Sequence, residues 1–105
     1  MATLIVTRWL EETLVTDTRV YEVVGATAKT ITVRTTVKGD TVRSQNIDGN
    51  PYPVVYRAVQ SDPRGRTFTL RLRKDGTYRT GRSAHALRAA TLIDGVPVAY
   101  TDYRY

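Results

Sequence analysis

Between Thr67 and Arg73 every second side chain is apolar: Phe68, Leu70 and Leu72 alternate with Thr67, Thr69, Arg71 and Arg73. Period two sends neighbouring side chains to opposite faces of an extended chain. This run therefore predicts a strand with Phe68, Leu70 and Leu72 in the core and the polar set in water. Lys29–Thr35 repeats the pattern, with Ile31 and Val33 facing in and Thr30, Thr32 and Arg34 facing out. Composition carries the signal along the rest of the chain, which holds 17 Thr, 13 Val, 7 Tyr and 4 Ile in 105 residues. β-branched and aromatic side chains fit a pleated, half-buried surface and lose rotamer freedom in a helix.

Turn residues punctuate these runs at Lys38-Gly39-Asp40, Asp48-Gly49-Asn50-Pro51, Asp62-Pro63-Arg64-Gly65, Lys74-Asp75-Gly76 and Asp94-Gly95. Such spacing predicts a meander or small barrel of short hairpins. Arg19–Val24 and Pro53–Gln60 read as strands with apolar residues on both faces, as where a barrel curls on itself. Thr77–Thr80 is expected to pair back onto Leu70–Arg73 across Asp75-Gly76. Ala90–Ile93 and Val96–Tyr100 flank Asp94-Gly95, a strong hairpin signal. Pro97 lacks an N–H, which predicts an edge position or a bulge. Two segments read either way. Ser83–Ala90 suits a short helix capped by Ser83 or an extended connection. Trp9–Val15 suits a helical turn, or a bulged hairpin joining Thr3–Arg8 to Thr13–Val15. The expected architecture is one mostly antiparallel, all-β domain over residues 1–105, an SH3-like or related small β-barrel with at most one short helix. Its core should include Ile31, Val33, Phe68, Leu70 and Leu72.

No apolar run approaches the ~20 residues of a membrane-spanning helix. Arg8, Glu11 and Glu12 interrupt the apolar start Met1–Val6, so it does not read as a signal peptide. With no cysteine there is no disulfide framework and no thiolate chemistry. The expectation is a cytoplasmic protein without membrane association.

Charge is unevenly placed. The net charge is +6 and the sequence pI is about 10.0. Residues 57–88 hold nine basic side chains (Arg57, Arg64, Arg66, Arg71, Arg73, Lys74, Arg79, Arg82 and Arg88) against Asp62 and Asp75, whereas residues 1–56 balance to zero. Arginine is the dominant cation, 13 of 16, and its planar fork suits phosphate and stacks on aromatic rings. Arg66, Arg71, Arg73 and Arg79, with Tyr78 in the same predicted hairpin, are the candidate nucleic-acid-binding residues, pairing phosphates and stacking bases. An Arg-rich strand face is also an ordinary solvent face. The chain ends in Tyr100, Tyr103 and Tyr105, side chains that suit protein contacts. They equally suit packing over a barrel end. These tyrosines define an alternative, capture of a partner protein by a tyrosine-rich edge strand. Trp9 reads as core or core edge.

Nothing in the sequence assembles a catalytic centre, and the chain reads as a binding protein rather than an enzyme, with no cofactor. His85 is the only histidine, and it and Ser83 lack a following carboxylate that would complete a triad. Glu11 and Glu12 would point to opposite faces of a strand and so make no acid/base pair. The turn aspartates sit beside Gly or Pro, where Asp ordinarily bonds its own backbone. No phosphate-loop pattern surrounds Gly81-Arg82-Ser83.

The stretch Thr18–Arg34 (TRVYEVVGATAKTITVR) resembles the opening hairpin of SH3-like small barrels. Phe68–Arg79 (FTLRLRKDGTYR) is similar to a strand–turn–strand of short actinobacteriophage accessory proteins. The resemblance covers about a quarter of the chain and implies a small barrel and a phage product that acts in the host cell, on nucleic acid or on a host protein. The full set of SH3 peptide-binding aromatics is missing, so no Pro-rich ligand groove is implied.

Overall fold

A computed structural model describes residues 8–14, 17–45, 54–80 and 86–102. Among them all regular structure is β and antiparallel: β1 (Trp9–Thr13), β2 (Thr18–Ala26), β3 (Thr30–Gln45), β4 (Val54–Ser61), β5 (Thr67–Arg71), β6 (Arg88–Ala89), β7 (Leu92–Ile93) and β8 (Val96–Asp102). The strands run in the order β6-β1-β2-β3-β4-β8-β7, and β5 pairs with β3 off that path. β3 organises the molecule. Its first half lies between β2 and β5, with Val33 opposite both Val23 and Phe68. Its second half leaves β2 after Thr35 and pairs with β4. The sheet then curls until β8 returns to the start of β2. There Asp17 bridges Thr101, and Tyr100 N donates to Thr18 Oγ1 at 2.8 Å. The result is an all-β, antiparallel half-barrel, consistent with the small barrel that the spacing of the turns predicts.

Two hydrophobic clusters occupy opposite faces of the β1–β2 sheet. Leu10, Tyr21, Ile31, Val33, Leu70, Tyr78 and Leu87 form the larger, with Val23, Phe68 and Leu72 packed against it. Val20, Val59 and Ala99 form the smaller, flanked by Trp9 and Ala90. β2 is apolar on both faces because Tyr21 serves one cluster and Val20 the other. Of the five expected core residues, Ile31, Val33 and Leu70 belong to the larger cluster, and Phe68 and Leu72 are partly buried against it. Val33 is wholly buried at 0%.

Several local expectations hold. Asp94 and Gly95 have φ of 51° and 80° and join β7 to β8 as a two-residue turn, the mirror-image type that matches strand twist. Asp62–Gly65 is a turn closed by Gly65 N donating to Asp62 O at 2.9 Å. Pro97 is the second residue of β8, opposite Leu92 of β7 and one residue before the β4 ladder begins at Ala58 and Val98, so its missing N–H costs that β4 ladder nothing.

Others are corrected. Lys38-Gly39-Asp40 is not a reversal, because β3 runs straight through it. The register against β4 shifts between Lys38 and Thr41 and again between Thr41 and Arg43. The turn-forming residues mark β-bulges that bend a long strand from one sheet into the next. Thr77–Thr80 does not form a strand on Leu70–Arg73. Only the turn of that hairpin is present among the described residues, closed by Arg73 N to Thr77 O at 2.9 Å and Gly76 N to Arg73 O at 3.0 Å, because β3 takes the ladder of β5 and Tyr78 turns into the core. Trp9–Thr13 is not helical: it is β1, paired with β2, and residues 3–7 and Val15, the rest of the alternative hairpin, lie outside the described residues. In Ser83–Ala90, Ala86–Ala90 is extended, with β6 pairing β1 at Glu11 and Leu10. Ser83, His85 and the turn at 48–51 lie outside the described residues.

The β4–β5 turn sits tightly against β3. Arg66 N donates to Thr35 Oγ1 at 3.0 Å, and Thr35 N donates to Arg66 O at 2.9 Å. A Cβ on Gly65 would stand 2.4 Å from Thr35 O, nearer than the turn and strand can tolerate without parting. Gly65→Ala is expected to lower stability by roughly 1–3 kcal/mol, the usual cost of overpacking, read as a lower urea midpoint. An unchanged midpoint would mean that this turn does not hold β3 at its bend.

Candidate nucleic-acid interface

Two groups of arginines stand apart in the fold that the sequence does not separate, while Arg19, Arg43 and Arg57 are exposed on β2, β3 and β4 and belong to neither. One group neutralises carboxylates inside the fold. Glu22 is 5% exposed, and three side chains converge on it. Arg8 Nε and Nη2 donate to Oε2 at 2.9 and 2.6 Å. Ser61 Oγ donates to the same oxygen at 2.9 Å, and Arg34 Nη2 donates to Oε1 at 2.8 Å. Burial alone would push the Glu22 carboxyl up, but the hydrogen bonds from Arg8, Arg34 and Ser61 outweigh it and hold the group below its ordinary value of 4.5. Glu11, 1% exposed, accepts Arg88 Nε at 3.0 Å on Oε2, and Thr91 N and Oγ1 at 2.8 and 3.0 Å on Oε1. Glu12 faces the other way, as alternation requires, and accepts the hydroxyls of Tyr21 and Thr80. Burial and the neighbouring Glu12 carboxylate push the Tyr21 phenol up. Three adjacent acids on β1 and β2 are thus fixed structural anchors, each with its own partners.

The second group flanks β5. Arg64, Arg66, Arg71, Arg73 and Lys74 are exposed, and no carboxylate pairs with any of them among the described residues. Asp62 is committed to its own turn, accepting Arg64 N at 3.0 Å. Asp75 is engaged by Thr77 and lies 3.8 Å from Arg79. The bonds from Thr77, with a smaller contribution from Arg79, hold its carboxyl below the ordinary value. Among the described residues β5 pairs only with β3, so these cations line an open sheet edge. Charge at an edge also discourages unwanted strand addition.

The five candidate residues do not form one face. Arg71 stands opposite Thr30, and Thr69 stands opposite Thr32 with their hydroxyls 3.2 Å apart. Leu72 N donates to Lys29 O and Arg73 N donates away from β3 to Thr77 O, so the alternation persists and Arg73 shares the side of Arg71. Together they make a polar face of threonine hydroxyls and two guanidinium groups. Arg66 belongs to the other side, its guanidinium over the Phe68 ring at 5.0 Å. Arg79 is half-buried and paired with Asp75. Tyr78 is corrected outright as a stacking residue: it is 6% exposed, held in the larger core with its carbonyl accepting Leu87 N at 2.8 Å. What sequence reasoning missed is the hydroxyl contribution of Thr30, Thr32, Thr67 and Thr69. The matching Thr-x-Thr triplets on two strands were its visible signal. Of the tyrosine tail, Tyr100 packs edge-on against Tyr56 at 5.4 Å, and Tyr103 and Tyr105 lie outside the described residues.

Among the described residues no group of three or more His, Cys, Asp or Glu side chains could hold a metal ion. No described helix is long and apolar enough to cross a membrane. No family model, curated protein or solved structure matches the chain. The resemblances noted in the sequence rest on their residues alone.

Proposed function

We propose that the chain is a non-enzymatic binding module whose β3–β5 face holds the phosphate backbone of nucleic acid, largely without regard to base sequence. The observation that supports this most directly is the division of the arginines. Arg8, Arg34 and Arg88 are spent on Glu22 and Glu11. Arg71 and Arg73 stand exposed on the face of threonine hydroxyls, with no carboxylate partner among the described residues. Guanidinium and hydroxyl groups are the donors that phosphate contacts use, and such contacts carry no sequence information of their own.

A labelled single-stranded oligonucleotide should be retarded by the protein at ~50 mM salt and released as salt rises, because each phosphate contact frees a counterion. The log–log slope should be roughly −0.7 per contact for a single strand and −0.9 for a duplex. No retardation at ~50 mM salt would sink the reading. So would affinity capture from a lysate that yields one stoichiometric protein, resistant to nuclease, and no nucleic acid.

A further inference from the structure

Where β3 parts from β2, the half-barrel opens into a cleft of about 350 Å³, within the size range of small-ligand sites. Its two ends differ in chemistry. At one end lies Phe68, directly opposite Val33 on β3; the Arg66 guanidinium, just outside the lining, stands over its ring at 5.0 Å. At the other lies Lys38, five residues further along β3 and exposed, about 17 Å away if the strand were straight. Threonine hydroxyls line the stretch between. Thr18 Oγ1 accepts Tyr100 N, and Thr35 Oγ1 accepts Arg66 N, which leaves each hydroxyl proton to donate. Thr36 Oγ1 already donates to Val20 O at 2.7 Å. Arg19 adds a second cation to the lining and Asp17 a single carboxylate.

An aromatic ring with a stacked guanidinium at one end, and hydroxyl donors leading to an ammonium at the other, is a donor set for a molecule with a flat ring and a phosphate. We propose that this cleft accepts one nucleotide unit, its base against Phe68 and Arg66 and its phosphate toward Thr18, Thr35 and Lys38. The proposal rests on the nucleic-acid reading above and deepens it. The β3–β5 face holds the backbone, and Arg66, on the other side of β5, directs one base of a single strand into the half-barrel. Bases stacked on aromatic side chains and on guanidinium planes are the usual way in which unpaired nucleotides are held.

The test uses the full-length, nitrogen-15-labelled protein and three probes: adenosine monophosphate, adenosine and inorganic phosphate. Adenosine monophosphate should shift the backbone amides of Thr18, Thr36, Lys38 and Phe68. Adenosine should shift Phe68 alone, and phosphate only the Thr18–Lys38 end. Lys38→Glu, at an exposed position that leaves the cores intact, should weaken adenosine monophosphate by tenfold or more. Absence of cleft shifts with adenosine monophosphate, in a protein that still retards the oligonucleotide, overturns this proposal and leaves the surface reading standing. A protein that binds neither removes both. Phosphate alone reproducing every shift overturns it too, because the base would then have no part in the site.

Discussion

Replacing Glu22 with Gln is expected to lower stability by about 3 kcal/mol, the scale observed when one partner of a buried ion pair is removed. That is a large fraction of the 5–15 kcal/mol a domain of this kind possesses. The loss arises on the arginine side. The Arg34 side chain is 25% exposed, and its Nε is buried without a hydrogen-bond partner among the described residues. With the charge at Glu22 gone, that guanidinium keeps its desolvation cost and loses its counter-ion. Arg8 is mostly exposed and can swing into water, which limits the damage. The same cluster fixes the acid behaviour. A carboxyl whose folded value lies below 4.5 contributes fully above the unfolded value and loses that contribution as pH falls through the folded one. Native protein should therefore weaken steeply below about pH 4.5, and the Gln variant should show a flatter profile there. Urea midpoints across that range decide the matter, and parallel curves for the two proteins would show that Glu22 is not the acid-sensitive group. Glu22→Leu combined with Arg34→Met should recover part of the loss, since an apolar pair of similar volume often replaces a buried ion pair at little cost.

Reversing Arg71 and Arg73 together to Glu should abolish nucleic-acid retention at moderate salt, with a loss on the order of a hundredfold, and should reduce the salt slope by about two contacts. Both side chains are exposed and outside the buried ion clusters, so the thermal transition should stay near that of the native protein. Net charge falls by four, and Arg43→Glu, at an exposed position on the second half of β3, provides the control for charge alone. If Arg43→Glu costs as much per unit charge as the double reversal, binding follows the overall field of a basic protein and the β3–β5 face has no special part.

The sequence reveals elements where period two is strict and burial falls on one side. Thr67–Arg73 and Lys29–Thr35 are of that kind: their inward residues Ile31, Val33 and Leu70 are buried in the larger core, and Phe68 and Leu72 pack against it. β2 is legible for the opposite reason, since apolar residues on both faces call for two cores and the structure supplies them. Legibility fails where one residue type has two physical uses. Gly39 and Asp40 favour a reversal in isolation, yet pairing with β4 on one side allows the strand to absorb them as a bulge. Tyr78, between the polar Thr77 and Arg79, has the alternation of an inward residue and the chemistry of a stacking one, and burial of its ring decides between them. The arginines show the same limit. Arg88 and Arg71 are indistinguishable as letters, and only the fold brings one to Glu11 and leaves the other beside threonines. Glu11 and Glu22 carry no local mark of burial either, because their partners come from Arg8, Arg34, Ser61, Arg88 and Thr91, which are scattered along the chain.

The seam where Asp17 meets Thr101 sets an order for the birth of the molecule. A ribosome releases Asp17 early and Thr101 only after more than eighty further residues. Synthesis at ~5–20 residues per second separates the two by several seconds. During that interval the start of β2 has no β8 to close against, and the apolar residues Val20 and Val59 lack their companion Ala99. Pairings so distant in sequence are also the slow step for an isolated chain, since the entropy of closing the loop is lost before the contacts compensate. The second cluster is therefore the last part of this protein to mature and the part most exposed to association with other chains while it waits.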